Sequence, residues 1–180
     1  MPEPDDADWR MLHEMYHPLI RRWILRVPGM AGDAADIAQD VFVILMRELP
    51  TFERRRDGSF RAWLKQITLN RIRTHQRRTR RKATSGGDDL QEFLTHFADP
   101  SSQLSRRWDQ EHDQHVLQKL MAIVQLDFGE KTWEAFQLFA VQGHPASEVA
   151  SKTGLTLNAL IKGKARILSR LREESRCFLE

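Results

Sequence analysis

Between Ser59 and Gly87 the chain carries no acidic residue, while Arg61, Lys65, Arg71, Arg73, Arg77, Arg78, Arg80, Arg81 and Lys82 all fall inside that stretch. Cationic groups at this density bind polyanions, because each phosphate they neutralise releases condensed counterions. Phe60 and Trp63 stand at its start, where their rings either pack the helix or stack on unpaired bases. A second acid-free stretch, Val149 to Arg172, contains Lys162, Lys164, Arg166, Arg170 and Arg172. A different chemistry is offered by His13-Glu14-Met15-Tyr16-His17, the spacing in which two His one helical turn apart hold zinc and the Glu polarises water.

The zinc reading requires more than the motif supplies. A hydrolytic site needs a third ligand and a substrate cleft. Pro18 directly follows His17 and disturbs a helix it enters, and no downstream His or Glu cluster resembles a third-ligand motif. A zinc metallohydrolase through His13, Glu14 and His17 is therefore a remote alternative. No catalytic residue, metal or cofactor is assigned.

The basic residues must be carried by helices. Phe60, Leu64 and Ile67 recur at helical spacing, and Asn70, Arg73 and Arg77 form a polar stripe along the same helix. Similar periodicity predicts helices over Asp8 to Val27, Asp33 to Leu49 and Phe60 to about Arg80, separated by Pro28-Gly29 and by Pro50 with the polar Arg54 to Gly58 loop. Ile37, Val41, Ile44 and Leu45 supply the core face of the second helix. Asp36, Gln39 and Asp40 form its exposed edge, and Asp33 stands where an N-cap is expected. Ala83 to Asp89, with Ser85-Gly86-Gly87, reads as a flexible linker, Asp99-Pro100-Ser101-Ser102 as a second break, and Leu90 to Ala98 as a short helix between them.

Further helices are expected over Trp108 to Leu126, with Val116, Leu117, Leu120, Met121 and Val124 as its apolar face, and over Trp133 to Val141. Pro145 to Arg172 then reads as helix, tight turn, helix. Ala150 permits a close crossing, Gly154 suits the positive φ of the turn, and Thr156 caps a recognition helix beginning near Leu157. Leu157, Leu160, Ile161, Ile167, Leu168 and Leu171 give that helix its apolar faces. Such a helix fits the major groove, with Asn158, Ala159 and Lys162 reaching base edges and later cations holding phosphates. The fold class is all-α. Its expected organisation is a domain over residues 8–82, a linker over 83–103 and a helix-turn-helix domain over 104–176.

In bulk, the 180 residues are 41% hydrophobic and 29% charged, with a formal net charge of +3, which suits a soluble globular protein. The small net charge conceals segregation. Acids gather near Asp5 to Asp8, Asp33 to Asp40 and Asp88 to Glu92, away from the two basic stretches. One cysteine, Cys177, excludes an internal disulfide. The sequence shows no secretory signal and no apolar run of about 18 residues to span a bilayer, so no membrane insertion and a cytoplasmic location are expected.

Three blocks, Asp33-Ala-Ala-Asp-Ile-Ala-Gln-Asp-Val-Phe, Leu49-Pro-Thr-Phe and Gly58-Ser-Phe-Arg-Ala-Trp-Leu, resemble the second conserved region of bacterial sigma factors of the extracytoplasmic-function group, within the sigma-70 family. The C-terminal helix-turn-helix is similar to their fourth region, and the resemblance runs from about Trp9 to Glu174. It implies a dissociable subunit that directs core RNA polymerase to promoter DNA. Asp36, Gln39 and Asp40 would bind the clamp helices of the beta-prime subunit. Lys65, Asn70, Arg71, Arg73, Thr74, Arg77 and Arg78 would hold the melted minus-ten element. Thr156, Asn158, Ala159, Lys162, Lys164 and Arg166 would read the minus-thirty-five element as duplex, in a domain that also contacts the beta flap. An anti-sigma factor is a candidate partner. The alternative within binding proteins is a DNA- or polymerase-binding regulator without initiation activity. Ile161 and Gly163 depart from the commoner pattern, Gly costing about 1 kcal/mol against Ala inside a helix, and the run Asn158 to Arg166 more closely resembles a planctomycete-type branch.

Overall fold

The computed structural model describes residues 6–53, 59–80 and 88–176. These residues form eight α-helices and no strand, the expected all-α class. They divide into two compact units, with the boundary between His115 and Val116. The expected Arg54 to Gly58 loop, most of the Ala83 to Asp89 linker, and Cys177 lie outside the described residues.

In the first unit, α1 (Asp6–Ile24), α2 (Ala34–Glu48) and α3 (Ser59–Arg80) form a helical body. Leu12, Met15, Tyr16, Leu19, Ile20, Trp23 and Ile24 recur every three or four residues on α1 and are all buried. This apolar face carries the helix through Pro18, which it contains without ending. The missing hydrogen bond falls on the side where Glu14 and Pro18 are both exposed, so water can satisfy the freed carbonyl. Ile37, Val41 and Leu45 of α2 are buried as expected, and Ile44 is half-buried.

Asp33 occupies the N-cap position of α2 but makes no capping bond. The short 3-10 turn Ala31–Asp33 runs directly into the helix, leaving Asp33 at φ −103° and ψ 5° instead of the extended conformation a side-chain cap uses. Its carboxylate lies 3.0 Å from His75 Nε2 of α3. That nitrogen is buried without an aligned hydrogen bond.

The helix expected from Leu90 is present as α4 (Asp88–Ala98), and it is packed. Leu90, Leu94 and Phe97 are buried. Phe97 stacks on Trp23 at 5.5 Å between ring centroids, and Trp108 meets both rings edge-on at 5.2 and 5.3 Å. Trp108 belongs to α5 (Gln103–Gln125), which starts earlier than expected because Ser102 Oγ accepts the Ser105 N–H at 3.0 Å and caps it. Polar contacts extend this docking. Glu111 accepts two hydrogen bonds from Arg26, at 2.9 and 2.8 Å, and Arg61 pairs with Asp109 at 3.1 Å and Asp113 at 2.6 Å. The compact unit therefore runs through α4 and half of α5, beyond the boundaries expected at 82 and 103.

In the second unit, Val116, Leu120 and Val124 of α5 are buried, while Leu117, expected on the same face, is 53% exposed. Next come α6 (Glu130–Phe136), which starts before the expected Trp133, and a π-helical turn over Gln137–Val141. Then α7 (Ala146–Thr153) and α8 (Leu157–Arg176) supply the expected helix, turn and helix. Gly154 closes α7 at φ 71° with its N–H on the Ala150 carbonyl at 2.9 Å. Thr156 Oγ1 accepts the Ala159 N–H at 3.1 Å, the expected cap of α8. Val124, Trp133, Phe136 and Ile167 form one core cluster and Ala135, Leu138, Val149 and Leu160 another. Gly163 is buried where a Cβ would come within 3.1 Å of Thr132 Cγ2. Its cost in helix propensity thus allows α8 to pass close to α6.

Candidate nucleic-acid interface

The cations of α3 separate into two groups. Arg61 and Lys65 face α5: Arg61 is engaged by Asp109 and Asp113, and the Lys65 ammonium donates to Ser105 Oγ. Burial, only partly offset by Asp109, holds the Lys65 amine below its ordinary pKa. Lys65 is thus spent inside the fold instead of standing on the basic stripe. Asn70, Arg77 and Arg78 are exposed, and Arg71, Arg73 and Thr74 half-buried. Gln66 Nε2 donates to Asn70 Oδ1 at 3.1 Å, which orients the Asn70 amide with its own N–H groups outward. Thr74 donates its hydroxyl to the Asn70 carbonyl at 2.8 Å, so its oxygen remains an acceptor only.

The two aromatics at the start of α3 differ in burial. Phe60 is 3% exposed and packs on Tyr16, so it is core. Trp63 is half-buried and stacks on Phe52 at 4.5 Å. Phe52 covers the Trp63 ring and keeps the helix entry apolar.

Across the same unit, Asp36, Gln39 and Asp40 are exposed on α2 as expected. Val43 and Met46, which helical spacing alone did not single out, continue that edge at 58% and 39% exposure. The signal was available in the unbroken apolar run Val41 to Met46, because one face of a helix cannot bury six successive residues. Beside this edge a groove of about 530 Å³ is lined by Trp9, His13, His17, Phe42, Val43 and Met46, among others. His13 and His17 stack on each other at 4.6 Å, and His13 meets Phe42 edge-on. Burial, then the neighbouring His13 and Arg21, holds the His17 imidazole below its ordinary pKa. Among the described residues no group of three or more His, Cys, Asp or Glu is arranged to hold a metal ion. The HExxH spacing is thus a ring stack along α1.

On α8, Asn158, Ala159, Lys162 and Arg166 are exposed, together with Leu157 and Ile161 from among its apolar faces. Leu160 and Ile167 are buried, and Leu168 and Leu171 pack half-buried against the core. Lys164 is half-buried with its ammonium over the Phe139 ring at 4.8 Å, a cation–π contact that draws it off the outer face. Arg170 is tied to Asp127 at 2.8 Å and Glu174 at 2.6 Å. Thr156, exposed at the helix start, uses its hydroxyl oxygen as the cap.

Residues 12–82, spanning most of α1 and all of α2 and α3, match the family model for Sigma-70 region 2. The chain thus carries a region 2 of the kind found in sigma-70 RNA polymerase sigma factors. Factors of this family are not enzymes but initiation factors, and their region 2 binds core RNA polymerase and promoter DNA. No curated protein matches the chain. The matched region coincides with a helical body carrying an acidic and apolar edge on α2 and a cationic stripe on α3. Among its described residues no helix is long and apolar enough to cross a membrane.

Proposed function

We propose that this protein is a sigma factor of the extracytoplasmic-function group that acts in the cytoplasm, binding core RNA polymerase and directing it to promoters that it then helps to open. The observation that carries the reading is the region 2 match over residues 12–82, on a body whose two polar surfaces differ in sign. Asp36, Gln39 and Asp40, joined by exposed Val43 and Met46, suit a protein partner, because an acidic edge repels DNA while exposed aliphatics reward burial. Their proposed partner is the beta-prime clamp helices.

Strand opening requires no catalytic group. It exchanges base stacking for contacts to extruded bases, at a few kcal/mol per flipped base. Asn70, Arg71, Arg73, Thr74, Arg77 and Arg78 form the proposed minus-ten surface, and Lys65 joins it only if Ser105 releases it. In the second unit, α7 and α8 act as a region 4-like helix-turn-helix on the minus-thirty-five element. Asn158, Ala159 and Lys162 face the bases, Arg166 faces phosphate, and the same unit contacts the beta flap. An anti-sigma factor would regulate the protein by covering one of these surfaces.

Run-off transcription with core polymerase on a promoter library, followed by mapping of the start sites, tests the proposal. Chain-dependent transcripts with a shared upstream sequence are expected. Promoter occupancy without transcripts would instead identify a regulator that lacks initiation activity.

A further inference from the structure

Two large aliphatic side chains stand exposed on the outer face of α8: Leu157 is 51% exposed and Ile161 59%. Burial sorts the start of this helix cleanly. Leu160, Gly163 and Ile167 point inward, and Leu157, Asn158, Ala159, Ile161, Lys162 and Ala165 point outward. The outward set begins directly after the Thr156 cap. From Val149 to Arg172 no carboxylate opposes the approach of phosphate, so the surface around these aliphatics is electrostatically suited to DNA and not to a basic or neutral protein groove. A base-reading face with aliphatic groups at its centre limits what it can recognise. In the major groove the one apolar group offered by any base pair is the C5-methyl of thymine.

We propose that Leu157 and Ile161 are specificity-determining residues that pack against thymine methyl groups in the upstream promoter element, flanked by the hydrogen-bonding pair Asn158 and Lys162. Asn158 suits adenine, the partner of thymine, and Lys162 suits guanine, so the element contains A·T pairs opposite the start of α8. Ala159 and Ala165 are small enough to let the helix approach the bases. The inference rests on the reading of α8 as the helix that enters duplex DNA, and its test separates the two.

The full chain with core polymerase is used to select duplexes from a library randomised upstream of the start site. Each thymine of the enriched upstream element is then replaced singly by deoxyuridine, which preserves base pairing and removes only the methyl group. At one or two thymines the wild type should lose about fourfold in affinity, the value of one buried CH₂ group at about 0.8 kcal/mol. Leu157→Ala and Ile161→Ala should each abolish the deoxyuridine penalty at one of these thymines. Both side chains lie outside the core, and circular dichroism of the variants checks that α8 is retained. An enriched element that is indifferent to deoxyuridine, or a penalty that persists unchanged in both variants, overturns the thymine assignment alone. Failure to enrich any upstream sequence overturns the duplex reading of α8 and the thymine assignment with it.

Discussion

His112 is 1% exposed on α5, with Nδ1 3.1 Å from Asp113 Oδ1 and its ring 5.8 Å from that of Tyr16. Burial holds its imidazole below the ordinary pKa, against the opposing pull of Asp113 and Asp109, with Arg61 adding to the depression. The unfolded chain therefore binds the proton more readily than the folded one. Stability from this residue is complete above its unfolded pKa of about 6.5 and declines as pH falls below that value. Urea unfolding of the wild type across this range should show the decline, and His112→Gln should flatten it. An unchanged slope would assign the effect elsewhere, for instance to His17, whose imidazole is also held low. Glu111 acts in a lower window. Burial pushes its carboxyl up, but hydrogen bonds from Arg26 and Arg107 outweigh this and leave it below the usual range, so its contribution is lost only as pH falls through that depressed value. None of this was legible in the sequence, because it depends on which residues α5 meets. The outward residues Asn70, Arg77, Asn158 and Lys162 were legible from helical spacing. Lys65, Lys164 and Asp33 were not, because Ser105, Phe139 and His75, which engage them, lie far away in the chain or beyond the turn that spacing describes.

Among the elements, α1 to α3 and the α7–turn–α8 segment follow directly from periodic apolar residues, Gly154 and the Thr156 cap. The docking of α4 and the start of α5 does not, since local pattern finds the break at Asp99 to Ser102 but cannot supply Trp23 as the ring that Phe97 and Trp108 pack against. Trp108→Ala should cost the first unit about 3–5 kcal/mol, the usual range for truncating a buried large aromatic. Denaturant unfolding measures that loss. Limited proteolysis should also cleave within α4 faster in the variant than in the wild type. Cleavage in α4 of the wild type as rapid as in the variant would show that the aromatic contact does not hold the helix. Gly163 tests the second unit in the opposite sense. A side chain there meets Thr132 at the α6–α8 crossing, so Gly163→Leu should destabilise by about 1–3 kcal/mol through overpacking despite its better helix propensity. A stabilised variant would mean that the helices separate freely at this point.

Over the whole molecule, a formal charge of only +3 averages an acidic edge on α2 with cationic surfaces on α3 and α8, and each surface can be disabled without touching the others. Reversing charge in Asp36→Arg with Asp40→Arg should weaken competition for core polymerase severalfold, while leaving duplex recognition to α8. Competition equal to that of the wild type, with helicity preserved, would remove these residues from the polymerase contact. The two proposed DNA surfaces would hold DNA in different states, and this gives the sharper separation. Arg73→Ala with Arg77→Ala removes cations that should track a single strand, so the salt dependence of open-complex formation should weaken by about 0.7 in log–log slope for each phosphate no longer neutralised. Asn158→Ala with Lys162→Ala removes the proposed base contacts, worth about 1–3 kcal/mol each when well formed, and should reduce occupancy before any opening. Permanganate, which reacts with unpaired thymines, distinguishes the two at saturating protein. The Arg73 and Arg77 variant should fill the promoter yet show fewer reactive thymines. The Asn158 and Lys162 variant should recover normal reactivity once concentration restores occupancy. If instead both variants melt normally at saturation, α3 does not capture the separated strand, and opening must be driven from a surface other than its cationic stripe.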